Sequence, residues 1–285
     1  MSARPLTHGL PVTPETAAHR PRRARRRLGL GLPLALLGFA AAIGVWYLAV
    51  DVLALPRFEI LPGPSEVFSE WTSRDPAYGV SLFTSAYYAD IWASVRRVLI
   101  AFTAALALGI PLGLYMGWSR RFREYTFPLL ELIRPIPILA WVPLAILTFH
   151  GSEMPVLFLT FLAAFFATTL NTLLGVQSID RDLLRAARCL GARPRDVFRD
   201  VVVPGALPYV FTGLQIAMGV AWFSLVAGEM IAGRHGLGYL INSSYTTTRY
   251  PTIVIAMITL GIVGFASSAA VRAIGNRLMA YRVRG

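Results

Sequence analysis

The chain contains no lysine: all 27 of its basic residues are arginine. A P-loop reaches the β- and γ-phosphates of a nucleotide with a lysine, and Schiff-base chemistry needs a lysine amine, so this chain performs neither by itself. Cysteine is nearly absent as well. A single thiol, Cys189, excludes an internal disulfide and any cysteine-based metal cluster. The four histidines, His8, His19, His150 and His235, are scattered without ligand spacing, so no metal site is expected. Acidic residues number 15, which leaves a net charge of +12 and a pI near 10.6. What fills the sequence instead is apolar: 55% of its 285 residues are hydrophobic and the mean hydropathy is +0.58. That excess over ordinary soluble composition points to a chain embedded in lipid.

A helix needs about 20 apolar residues to cross the hydrocarbon core. Five stretches supply them: Leu28 to Val50, Val98 to Gly117, Met154 to Leu174, Tyr209 to Ala232, and Thr252 to Val271. A sixth, Pro128 to Phe149, is long enough but carries Glu131, Arg134 and three prolines. Glu131 and Arg134 share a helix face and can pair, and Pro135, Pro137 and Pro143 are expected to bend or locally unwind the span. The expected fold is all-α: a polytopic membrane protein with six transmembrane helices.

Arginine placement orients it. With the N-terminus in the cytosol, segments 1–27, 118–127, 175–208 and 272–285 hold twenty arginines, against six in or beside the outside segments. That is a positive-inside pattern, and it places the multi-pass chain in a bacterial cytoplasmic (inner) membrane with both termini cytosolic. Charge confined to membrane-flanking loops, without a nucleic-acid motif, also removes nucleic acid from the expected partners and leaves membrane lipid. The domain expectations follow. Residues 1–27 are a disordered, arginine-rich cytosolic N-terminus, and 28–50 the first transmembrane helix. Residues 51–93 are an external loop in which Ser65 caps a helix and the tract from Tyr78 to Val95 forms an interfacial helix. Residues 94–272 are the core with five transmembrane helices, and 273–285 a cytosolic tail.

The segment 175–208 is too ordered in sequence to be a plain connection. Asp180 suits the cap of a helix through "RDLLRAARCL", whose Leu183, Leu184, Ala187 and Leu190 recur at helical spacing. Gly191 suits a left-handed terminus, and Pro194 the first turn of a second short helix. There Val197, Phe198, Val201 and Val202 form one face and Arg195, Asp196, Arg199 and Asp200 the other, with Pro204 and Pro208 expected to end it.

This segment resembles the cytosolic loop of ATP-binding-cassette importer permeases, written Glu-Ala-Ala, three residues, Gly, nine residues, Ile, one residue, Leu-Pro. Ala186, Ala187, Gly191, Val201 and Pro204 fall at those spacings, while Arg185 stands where the family has Glu and Val203 where it has Leu. From about Leu61 onward, "LPGPSEVF", "GIPLGLYMGWSRRFR", "RPIPILAWVPLAI", "LNTLLGVQSID" and "GLGYLI" are similar to the nitrate, sulfonate, taurine and bicarbonate branch of these permeases. The resemblance implies a transport subunit, not an enzyme, forming the pathway for a small oxyanion. It implies that ATP and Mg are bound by separate cytosolic ATPase subunits, which this chain would meet through Arg185, Ala186, Ala187, Gly191, Arg193, Pro194, Arg195, Asp196, Val197, Phe198, Arg199, Val201 and Pro204. It implies a second permease copy (a homodimer) and an extracytoplasmic substrate-binding protein.

Candidate pathway or gating residues are Arg134, Asn171, Gln215 and Glu229. An intramembrane acid is a functional candidate by default. Glu229 either gates the cavity or forms a structural ion pair with Arg96, Arg97 or Arg134. Asn171, Gln215, Thr168 and Thr169 either line the route or hydrogen-bond between helices. A self-sufficient secondary carrier or channel is the alternative, and an intramembrane enzyme a more distant one, since no span contains a Ser–His pair.

Overall fold

The computed structural model describes residues 31–53, 56–58 and 60–279. The 1–27 segment, the first three residues of the first expected span and residues 280–285 of the tail lie outside the described residues. The chain falls into two units, Met1–Trp46 and Tyr47–Gly285. Among the described residues every regular element is helical. The first unit contributes α1 (Gly31–Tyr47), which ends at the first residue of the second unit and runs on as a π-helical turn, Leu48–Val52. Its Leu34, Leu36, Leu37 and Phe39 are exposed, as lipid-facing side chains are.

In the second unit, a short helix α2 (Pro64–Thr72) precedes α3 (Ser85–Trp118). Helix α4 (Arg120–Ile133) is followed by a 3-10 turn at Ile138–Trp141 and α5 (Val142–Thr148), the two halves meeting at 85°. Then come α6 (Glu153–Gln177), α7 (Arg181–Cys189), α8 (Pro194–Val197), α9 (Val203–Ala232), α10 (Leu237–Thr246) and α11 (Tyr250–Leu278). Among the described residues, four helices are long and apolar enough to cross a membrane, five if the bent pair is one span; the remaining expected stretch is covered by α1 and the turn after it as a shorter apolar helix.

Several boundaries differ from the sequence reading for identifiable reasons. Of the tract Tyr78 to Val95, residues 78–84 are turns and bends, while from Ser85 it is one helix with the span, α3, so residue 93 lies inside it and not at a loop end. Ser65 is not the cap of α2. Gly63 is, with Pro64 in the first turn, and the Ser65 hydroxyl donates to Asp51 Oδ1 at 2.7 Å. The polar tract before the third span is already helical from Arg120, so Glu131 and Arg134 come at the end of α4, beside the bend. Pro135 and Pro137 occupy the break, where missing N–H groups cost no helical bond, and Pro143 sits in the first turn of α5.

Helix α6 lies between α3 and α9, and glycine sets how near they come. A Cβ at Gly113 of α3 would stand 2.6 Å from the Thr169 carbonyl oxygen; one at Gly213 of α9 would stand 2.5 Å from Asn171 Cβ. Gly109 and Gly117, one turn away on either side of Gly113, meet Thr169 and Val176. Small residues let helices approach in lipid, where no hydrophobic force drives them together. Val98, Ala105, Ala164, Ala217, Ala221 and Leu225 fill the seams.

Candidate functional site

At one end of the bundle the segment after α6 builds a projection. Asp180 caps α7, its Oδ1 accepting from the Asp182 N–H at 2.9 Å. Gly191 stops the helix at φ +83°, and the N–H groups of Gly191 and Ala192 donate to the carbonyls of Arg188 and Ala187. A side chain at that φ is strained by about 1–2 kcal/mol, hence glycine. The Arg193 N–H donates to Asp196 Oδ2 at 3.2 Å, and Pro194 opens α8.

The expected division of faces is present. Val197 and Val202 are buried, and Phe198 stacks edge-on against Trp118 at the end of α3, with ring centroids 5.4 Å apart. Arg193, Pro194, Arg195, Asp196 and Arg199 are exposed. Arg185 and Ala186 are also exposed, Arg185 pairing with Asp182 of its own helix at 3.0 Å. Ala187, Val201 and Pro204 are half-buried. The apolar face of α7 is less covered than its spacing predicts: Leu184 is half-buried, while Leu183 and Leu190 are exposed.

Pro204 and Pro208 do not end the second helix. It continues through a π-helical turn, Phe198–Val202, into α9, making one apolar helix from Pro194 to Ala232. In that turn the Val203 N–H bonds the Phe198 carbonyl five residues back, so the ladder has already skipped a register where Pro204 lacks a donor.

At the opposite end of α9, Glu229 is fully buried. It accepts from Arg97 Nη1 at 2.6 Å, from the Ser94 hydroxyl at 2.9 Å and from the Gly238 N–H at 2.9 Å. Arg97, itself buried, also donates to the His235 carbonyl at 2.6 Å and through Nε to Glu153 Oε2 at 3.0 Å. Its Nη2 pairs with Glu153 as well. The Gly236 N–H donates to Asp90 and the Leu237 N–H to Ser94. One arginine thus ties α3, α6, α9 and the entry to α10. Of the partners weighed for Glu229, Arg97 is the one present. Sequence reasoning missed Ser94, Glu153 and Asp90; the available signal was "RHGLG", where a Cβ at Gly236 would collide with the Glu229 carboxylate.

Arg134 and Asn171 meet elsewhere, in a groove of about 690 Å³ between α4, α6 and α9. Arg123, Phe127, Gln177 and Ile216 also line it; Glu229 and Gln215 do not. Asn171 Nδ2 donates to the Ala167 carbonyl at 2.8 Å, and Arg134 stands 3.9 Å from Glu131. Gln215 is half-buried on α9; Thr169 turns its hydroxyl and Thr168 its methyl toward Gly109 of α3, and neither buried hydroxyl has a hydrogen-bond partner among the described residues. Among the described residues no three His, Cys, Asp or Glu side chains are grouped as metal ligands.

Comparison with known proteins matches these features to one family. Residues 109–283 fit the model of the binding-protein-dependent transport system inner membrane component. The nitrate import permease protein NrtB of Synechocystis is 32% identical over 87% of this chain and 91% of its own length. The taurine transport system permease protein TauC of Escherichia coli is 34% identical over 82% of this chain and 83% of its own. The fold is shared with a solved chain of a bacterial alginate ABC transporter crystallised with its alginate pentasaccharide-bound periplasmic protein. That likeness has a TM-score of 0.58 at 13% identity, over 87% of this chain and 96% of that one. The chain, whose helices cross the inner membrane several times, belongs to the binding-protein-dependent transport system inner membrane components and is a permease of an ABC importer.

Proposed function

We propose that this permease carries a small oxyanion of the nitrate, sulfonate or bicarbonate class into the cytosol, powered by separate ATP-binding-cassette subunits that dock on residues 185–204. The observation carrying the docking reading is the split face of α8, its cap and the π turn after it, residues 193–202. Val197 and Val202 bind the projection to the bundle, while Arg193, Arg195 and Arg199 remain turned outward. ATP and Mg belong to the partner subunits, in keeping with a chain that has no lysine for a P-loop. The substrate class is supported by the similarity to permeases named for nitrate and taurine. The arginine count supports a cytosolic α7–α8 end. A second copy completes the pathway, and an extracytoplasmic binding protein delivers the anion.

The test is co-expression with the cassette subunit. The wild-type pair is expected to co-purify and hydrolyse ATP, and a triple Arg193→Glu, Arg195→Glu, Arg199→Glu variant to lose both. These side chains are exposed, so the variant keeps its fold. Co-purification and ATP turnover at the wild-type level would sink the docking reading, and anion uptake by the permease alone would establish a self-sufficient carrier in its place.

A further inference from the structure

We propose that the groove between α4 and α6 is a binding site for the transported oxyanion, with Arg134 and Arg123 as its guanidinium ligands. The inference rests on the oxyanion reading above and locates it within the chain. Arg123 and Arg134 are eleven residues apart on α4 and its cap. Eleven residues of α-helix advance about 16 Å and return to within about 20° of the same face. Both arginines therefore point to one stripe, with Phe127 between them. The groove takes its opposite wall from α6, between Phe166 and Gln177.

Arg134 stands at the end of α4 beside the 85° break, one turn past Leu130, which packs with Met116 of α3 and Leu173 of α6. Its ion partner Glu131 stands 3.9 Å away, too far for a hydrogen bond, so the guanidinium keeps its donors for a ligand. Arg123 has no ion pair among the described residues. The groove thus holds two guanidinium forks with free donors, and no carboxylate lines it.

The charge pattern elsewhere sharpens this. The buried arginine, Arg97, is consumed by Glu229 and Glu153, which keeps both acids away from the groove. Planar, weakly hydrated guanidinium matches an oxyanion with two parallel N–H···O bonds. Asn171 contributes its second amide N–H, the first being spent on Ala167. A volume of about 690 Å³ far exceeds one small anion, so water shares the site. Binding is then loose enough to release, as a transport pathway requires.

The experiment uses the complete transporter (permease, cassette subunits and binding protein) in vesicles of neutral lipid and in vesicles with added anionic lipid. Uptake of nitrate, taurine and bicarbonate identifies the probe that the wild type carries. Arg134→Gln is expected to lower uptake of that probe about tenfold or more, with ATP hydrolysis stimulated by the binding protein kept within about twofold. Arg134→Lys is expected to recover part of the uptake, and Arg123→Gln to lose less than Arg134→Gln. Equal uptake by Arg134→Gln and wild type overturns the inference alone. A wild type that moves none of the three anions overturns the oxyanion reading and this one with it. A loss confined to anionic vesicles assigns the groove to a lipid headgroup and overturns it too. If Arg134→Gln fails to assemble, Arg134→Lys decides: full assembly with a changed KM for the anion supports the site, and an unchanged KM counts against it.

Discussion

Removing one partner from a buried ion pair strands the other in a medium that cannot solvate it. Arg97 and Glu229 are the severe case here, being 1% and 0% exposed. Arg97→Leu is expected to destabilise the protein by about 3–5 kcal/mol, read as a large fall in the thermal unfolding midpoint in detergent. The double variant Arg97→Leu, Glu229→Leu is expected to be milder, because Glu153 is half exposed and keeps Arg96 at 3.3 Å. A double variant no better than the single would show that the backbone bonds to His235 and Gly238, and not the pairing, carry the effect. Glu229 stood out in the sequence because an acid inside an apolar run is conspicuous. Ser94 and Asp90 did not, since short polar side chains near a helix start have many local uses and nothing in their spacing reports a partner more than 130 residues away.

At the scale of helices, periodicity and punctuation were legible and continuity was not. Asp180, Gly191 and Pro194 do what their chemistry dictates, because caps and left-handed turns are local. The prolines at 204 and 208 were read as an end, yet a single π turn lets the helix pass them. Proline reports only a missing donor; whether the ladder can skip one is settled by packing, here by Val202 and Ala206 against Val176. Not every glycine of the bundle serves close approach: Gly219 and Gly261 have open space beside them, whereas Gly109, Gly113, Gly117 and Gly213 face α6. Gly113→Ala is therefore expected to cost about 1–3 kcal/mol through overpacking against the Thr169 carbonyl, which is backbone and cannot swing aside. Gly261→Ala is the control, expected to leave expression and detergent stability unchanged; equal stability of the two variants would refute the close-packing account.

Across the whole molecule, the oily composition announced the class, and the arginine asymmetry gives only an expected orientation; neither located the groove, which needs three helices in their folded places. The orientation can be read with the chain's own chemistry. Cys189 is exposed at the end of α7 and is the sole thiol in the sequence. A membrane-impermeant maleimide is expected to label it in inside-out vesicles and not in intact cells. The reverse labelling would invert the topology and remove the docking proposal.

The unbroken helix from Pro194 to Ala232 has a mechanical consequence. At 39 residues it is about 58 Å long. A rod of that length tilted by about 5° moves its far tip by about 5 Å, and only the π turn at Phe198–Val202 and Pro208, both near the projection, offer a place to bend. The tip carries Glu229, held by hydrogen bonds that tolerate a few tenths of an ångström. Any pivoting imposed at the projection must therefore either carry α3 and the entry to α10 along with it or tear the Arg97 clamp open. The chain behaves as a bolt whose handle and catch are one piece.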